Sequence, residues 1–291
     1  MYFYVFIDPE IISEATEHGQ MGLGRFVEVL KGFRTDCLMA ETDLWRVGEE
    51  IKGKIKAIAL PAERKEILEL IIHLWKQGPF VEMKGDGGEE ELVKFAVEVG
   101  DQFGIDLIFT PSINLPDSGV SWEASTLTNL HSTRFSQTRG NIGKSVRVKK
   151  GELSFESICE KHFGKMVAHA RKITIVDYAL GEYLGGSQYQ NVAKWVRWLE
   201  FKLECPKQVE LVFKTVNNSR TIKSLSNLIR DLNQQVELNL VLNTAAKGDL
   251  PHRRFLIVEG KCLDIDLGVD ICDEDDKCRS VEIAYTEGRS R

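Results

Sequence analysis

Short β-branched and aromatic runs alternate along this chain with segments whose apolar residues recur every three or four positions, and that alternation restricts the fold more than any single motif. Strand, helix, strand in repetition favours a mainly parallel sheet, because parallel neighbours need a long crossover. In the first half YFYVFID reads as a strand closed by Asp8-Pro9, since proline cannot continue a ladder. A helix around FVEVLKGF follows, then the strand DCLMA and a helix over ERKEILELIIHLWKQG ended by Gly78-Pro79. After FVEM, Leu92, Phe95, Ala96, Val99 and Phe103 recur at helical spacing, and DLIFTPS returns to a strand.

The second half opens with a helix over FESICEKHFGKMVAHA, the strand ITIVD and a loop, ALGEYLGGSQYQ. A helix with Val192, Trp195, Val196, Leu199 and Leu203 on one face comes next, then the strand VELVFKT. Ile222, Leu225, Ile229 and Leu232 mark another helix, VELNLVL another strand, and FLIV, CLDIDLG and VEIAY close the chain as short strands. Between the halves the pattern dissolves into Ser, Thr, Asn, Gly and basic residues. The expected organisation is α/β throughout: a mainly parallel-sheet domain over 1–115, a basic loop or linker over 116–152, and a mixed α/β domain over 153–291.

A length of 291 residues with 43% hydrophobic and 28% charged content suits one large or two ordinary domains. The longest apolar runs, such as IKAIAL and FLIV, fall far short of the roughly 20 residues of a membrane span. The N-terminus has no basic region leading an apolar stretch, so a cytoplasmic chain without signal peptide or span is expected. The six cysteines lack C-x-x-C pairs and read as reduced thiols, although Cys272 and Cys278 could meet across a short acidic turn. A net charge of −6 argues against indiscriminate coating of nucleic acid. The local exception is HSTRFSQTRGNIGKSVRVKKG, where Arg134, Arg139, Lys144, Arg147, Lys149 and Lys150 form a candidate phosphate or nucleic-acid contact.

In HRRFLIVE, His252 and Arg254 are two apart and share one face of a strand, while Glu259 follows Arg254 by five. This His-x-Arg-x4-Glu pattern resembles the His-x-Lys-x4-Asp signature of the phospholipase-D-like superfamily. The order of elements before it, with VDYAL, PHRRF and DLGVDI in sequence, looks most like the phospholipase-D-like domain attached to microtubule-interacting-and-transport modules. The resemblance covers about residues 153–291. It implies His252 as nucleophile on phosphorus, Arg254 stabilising charge on phosphoryl oxygens, Glu259 orienting an imidazole, and no required cofactor. Because such enzymes pair two motifs and this chain has one, the resemblance implies either a homodimer or a domain that binds a phosphate-bearing ligand without cleaving it.

Acidic residues fall near strand ends in the first half: Asp8, Glu41, Asp43 and Asp106. Carboxylates converging at one sheet edge could hold Mg²⁺ or Mn²⁺, and Asp8, Glu41 and Asp106 are the candidate ligands. Asp8 after the first strand and Asp106-Leu-Ile-Phe-Thr110 later loosely resemble the PilT N-terminal nuclease fold, with Ser112 where that family carries a further acid. Together these readings point to a nucleic-acid-directed protein, either a phospholipase-D-like nuclease or a degenerate phosphate-binding subunit, of the kind found in microbial antiviral defence or toxin systems. The alternatives are a non-enzymatic assembly or adaptor protein binding a partner protein or a phosphoinositide, and a metal-dependent nuclease acting through the first half.

Overall fold

A computed structural model describes residues 2–41, 44–76, 81–82, 92–119, 122–142, 145–182, 186–218, 221–246, 248–259, 261–273 and 275–286. The chain is α/β and divides into two compact units, Tyr2–Gly143 and Lys144–Arg291.

The first unit runs β1 (Phe3–Ile7), α1 (Glu10–Glu17), α2 (Gly19–Asp36), β2 (Cys37–Glu41), α3 (Leu44–Ala57), α4 (Pro61–Lys76), β3 (Val81–Glu82), α5 (Leu92–Phe103), β4 (Leu107–Phe109), β5 (Glu123–Ser125) and α6 (Arg134–Ile142). Its five strands are all parallel, in the order β3-β2-β1-β4-β5. Val5 lies opposite both Met39 and Leu107, so β1 is the central strand. Every residue of β1 is buried, which explains its unbroken apolar run: a parallel strand covered on both faces has no solvent side to alternate toward. The chain winds outward from β1 to β3 and then returns to β4 on the other side of β1. Strand order therefore reverses between β1 and β4, and the carboxyl ends of those strands flank the crevice where open α/β sheets take ligands.

The second unit runs β6 (Ser145–Val148), α7 (Phe155–Val167), β7 (Lys172–Val176), α8 (Tyr178–Glu182), α9 (Gly186–Lys202), β8 (Glu210–Val216), α10 (Ile222–Asn233), β9 (Asn239–Ala245), β10 (Phe255–Val258), β11 (Lys261–Ile265) and β12 (Val281–Thr286). Its strand order is β6-β12-β11-β10-β7-β8-β9. β7, β8 and β9 are parallel, whereas β10, β11, β12 and β6 add on antiparallel. Trp195 of α9 is buried against Phe155 and Phe163 of α7, with ring centroids 5.5 and 5.4 Å away. Its indole N–H donates to the Val269 carbonyl at 3.2 Å, so the ring's one polar atom is satisfied inside the core.

The expected linker is not one. Residues 116–152 supply β5 and α6 to the first unit and β6 to the second, and the boundary falls between 143 and 144. β5 and β6 are short edge strands, and three of the four β6 residues are exposed or half-buried. Such strands leave no hydrophobic period to read. Likewise, part of the expected loop over ALGEYLGGSQYQ forms α8 and the first turns of α9. Helices α1 and α3 carried no expectation at all. Among the described residues no helix is long and apolar enough to cross a membrane.

His162 of α7 is 3% exposed, and neither ring nitrogen has a hydrogen-bond partner. Burial pushes its pKa down from 6.5 to about 4, so the folded protein holds it neutral. The unfolded chain binds this proton from about pH 6.5 downward while the folded chain resists until about pH 4. Stability is therefore full above that window and falls through it as acid is added, by about 3 kcal/mol at most. Urea titrations from pH 7 to pH 4 are expected to show this loss, and His162→Leu to flatten it.

Candidate functional site

The second unit's site is built where β7 ends beside the start of β10. Antiparallel pairing of Phe255 with Val176 brings Arg254 next to Asp177. Asp177 is 1% exposed, yet each of its carboxylate oxygens accepts a backbone N–H, Ala179 on Oδ1 and Val269 on Oδ2, both at 2.9 Å. Arg254 Nε lies 3.2 Å from Oδ1. Burial nonetheless pushes the Asp177 carboxyl above its ordinary value, opposed by the Val269 N–H and the Arg254 charge. The Thr215 hydroxyl donates to the Asp177 carbonyl at 2.7 Å, tying the strand end to β8.

The Arg254–Asp177 contact is ionic, since among the described residues the buried Nε makes no hydrogen bond, whereas Nη1 of Arg254 donates to the Asp266 carbonyl. Among the described residues these contacts leave Nη2 uncommitted, on a side chain 28% exposed. His252 is exposed, and its ring sits over Tyr178 with centroids 4.6 Å apart and planes at 42°. An aromatic support and an anchored guanidinium thus lie together at one sheet edge, one offering a ring nitrogen and the other a planar donor fork suited to phosphate oxygens.

Glu259 does not join them. It sits in the turn after β10, with φ of +47°, and its Oε1 accepts the N–H groups of Arg171 and Lys172 at 2.8 and 2.9 Å. Five residues along a strand is roughly 16 Å, so its carboxylate caps the opposite end of the sheet and cannot orient an imidazole at His252. The acid beside Arg254 is Asp177, which the strand ending VDY announces in the sequence. Gly268 was also missed: its φ is +60°, and a β-carbon there would collide with the Asp177 carboxylate and the Arg254 side chain.

The basic residues are divided between the units. Arg134 pairs with Glu123 at 3.2 Å. Arg139 is a structural latch: its guanidinium contacts both Asp36 oxygens, donates to the Gly32 carbonyl at 2.8 Å, and lies 5.5 Å from the ring centroids of Phe33 and Phe135. Arg147, Lys149 and Lys150 are exposed in the second unit. Lys144 and Asp43 lie outside the described residues. Arg139 is thus spent on internal pairing within the first unit.

In the first unit Asp8 and Glu41 do come together at the carboxyl edge, at the β1–β4 reversal. Asp8 Oδ1 accepts the Glu10 N–H at 2.9 Å, and Oδ2 accepts the Thr110 hydroxyl at 2.7 Å and the Asn114 amide at 3.3 Å. Burial raises its carboxyl pKa against those three donors. Glu41 is fully buried, and neither of its oxygens has a hydrogen-bond partner. Burial, and then the nearby Asp8 charge, hold its carboxyl well above the usual carboxylate range.

Asp106 lies elsewhere. It precedes β4 and accepts the Tyr4 N–H at 2.7 Å, at the amino end of a sheet whose strands all run one way. The expected triad of Asp8, Glu41 and Asp106 is thus separated by the length of β4. Among the described residues no group of three His, Cys, Asp or Glu side chains is placed to hold a metal ion. Ser112, at the position of the missing acid, instead donates its N–H to Glu14 at 2.7 Å. Among the described residues, two carboxylates, one of them already accepting three donors, do not fit Mg²⁺ or Mn²⁺, which need several oxygens.

No protein-family model matches the sequence, and no curated protein matches it.

Two outcomes test this geometry. Gly268→Ala is expected to lower the unfolding free energy by about 2 kcal/mol or more in denaturant titration, from the left-handed backbone and the collision together. Glu41→Gln is expected to be more stable than the parent at pH 7.5, with the difference closing toward pH 4.5. The sign follows because a raised folded pKa makes the unfolded chain release its proton first, so stability is lost as pH rises above 4.5.

Proposed function

We propose that this chain is a nucleic-acid-directed protein whose second unit binds a phosphate-bearing strand through His252 and Arg254 without cleaving it. The observation carrying this reading is the Asp177–Arg254 pair set beside the exposed His252 ring on Tyr178. A guanidinium fixed by a buried acid presents its free N–H groups with little conformational loss on binding, which favours capture of a phosphoryl oxygen. Exposed Arg147, Lys149 and Lys150 in the same unit add long-range attraction for a polyanion.

Binding rather than chemistry is favoured because a nucleophilic imidazole needs a partner to set its tautomer and orientation. Glu259 is committed at the far end of the sheet. The buried acid in the site, Asp177, is occupied by two backbone N–H groups and Arg254. The resemblance to phospholipase-D-like domains is retained in this reading as the source of the phosphate-site geometry, with catalysis removed.

Fluorescence anisotropy with labelled single-stranded DNA and RNA tests it. Affinity is expected to fall linearly in log–log form with salt, and His252→Ala or Arg254→Lys to weaken it about tenfold. No cleavage product is expected with or without EDTA. Cleavage that persists in EDTA and vanishes in His252→Ala would replace binding with phospholipase-D-like catalysis. Cleavage abolished by EDTA and by Asp8→Asn would move the chemistry to the first unit. Tighter binding of an inositol phosphate than of either nucleic acid would identify a phosphoinositide as the ligand.

A further inference from the structure

We propose that Cys272 and Cys278 form a reversible disulfide under hydrogen peroxide, making the turn between them a redox-sensitive clasp on the segment after β6 that carries Lys149 and Lys150. All six thiols are free as the structure stands. Cys272 and Cys278 face each other in an isolated antiparallel bridge. The hydrogen bonds flank the pair and do not lie within it: Asp273 N–H to the Lys277 carbonyl at 2.9 Å, and Arg279 N–H to the Ile271 carbonyl at 2.8 Å. That is the pattern of a non-hydrogen-bonded pair, with Cα atoms about 4.5 Å apart and both side chains on one face. Disulfides accept Cα separations of roughly 4.4 to 6.8 Å, so the two thiols lie within bonding reach of each other.

The turn is held ready for it. Asp273 Oδ1 accepts the N–H groups of Asp275 and Lys277 at 3.1 and 3.0 Å, and Asp276 pairs with Lys194 of α9 at 2.8 Å. Asn191 of α9 donates to the Cys272 carbonyl at 3.0 Å. Across from it, Cys278 holds the segment that follows β6. Its thiol donates to the Lys149 carbonyl at 2.9 Å, its carbonyl accepts the Gly151 N–H at 2.9 Å, and its N–H donates to the Leu153 carbonyl at 3.0 Å. Oxidation removes the thiol proton, so the Lys149 carbonyl loses a donor and the two basic residues lose one of their ties.

The chemistry balances with peroxide as the oxidant. One sulfur attacks a peroxide oxygen, giving a sulfenic acid and one water that takes up the thiol proton. The second sulfur then attacks the sulfenic sulfur; the S–S bond forms as the hydroxyl leaves with the second thiol proton as another water. The sulfurs give up two electrons and the peroxide receives them. Both thiols are buried, and burial pushes the Cys272 thiol up to about 12, so the reaction is slow and waits on opening of the turn.

The test is oxidation of the full chain with hydrogen peroxide, alkylation of remaining thiols in denaturant, and non-reducing peptide mapping. The expected product is lighter by about 2 Da, joins the Cys272 and Cys278 peptides, and reverts with dithiothreitol. Cys159→Ser should still form it, and Cys278→Ser should not. Alkylation of both thiols after oxidation overturns the proposal. So does linkage through Cys159 or Cys205, or sulfinic acid on Cys272 with no link to Cys278.

Discussion

The Asp177 carboxylate sits nearly without solvent at the end of β7 and draws its own helix start and two distant pieces of chain onto itself. Its own helix start comes through Ala179, the turn after β11 through Val269, and β10 through Arg254. Burying a carboxylate is costly unless its lone pairs are met and a countercharge is near, and here both conditions hold. Removing one partner of such a pair typically costs about 3–5 kcal/mol, far more than an exposed ion pair. The guanidinium is therefore set by the sheet and not by the ligand. Gly268 follows from the same constraint, since the chain must pass so close to Asp177 and Arg254 that no β-carbon fits.

The first unit shows the opposite treatment of buried acid. Asp8 is met by three donors, whereas Glu41 is shut into the core with no hydrogen bond to either oxygen. Burial holds the Glu41 carboxyl well above the usual carboxylate range, which disfavours the charged form that a hard cation takes as ligand. The crevice at the reversal of strand order is thus present in outline, but among the described residues no third acid joins Asp8 and Glu41 as a metal-holding group. Thr110, Ser112 and Asn114 fill the remaining edge with hydroxyl and amide groups, two of which donate to Asp8.

The α/β class and most long elements were legible because burial imposes a period. β1, β2 and β4 are continuous apolar runs, and α10 repeats its apolar residues at helical spacing. What stayed hidden lacked that imprint. β5 and β6 are short edge strands, and α6 is a polar helix, so the region containing them reads as loop. In the site, His252 and Arg254 precede β10, which begins at Phe255, so the two-residue alternation expected to set them on one face of a strand does not reach them. The same alternation says nothing about which end of a neighbouring strand lies alongside, and that register puts Asp177 by Arg254 and Glu259 at the far edge. Asp106 failed similarly, since an acid next to a strand is useful only at the correct end of it.

A count of arginines says little about phosphate binding until each donor is assigned. Arg139 spends the Nε–Nη2 edge of its fork on Asp36 and Gly32 and lies close to two phenylalanine rings, so that edge and much of its face are already taken up inside the fold. Arg254 is also anchored, through an ion pair at Nε and a hydrogen bond from Nη1, on a side chain that stays 28% exposed. An arginine held on one side and open on the other has lost most of its rotamer entropy before a phosphate arrives, while keeping N–H groups to give.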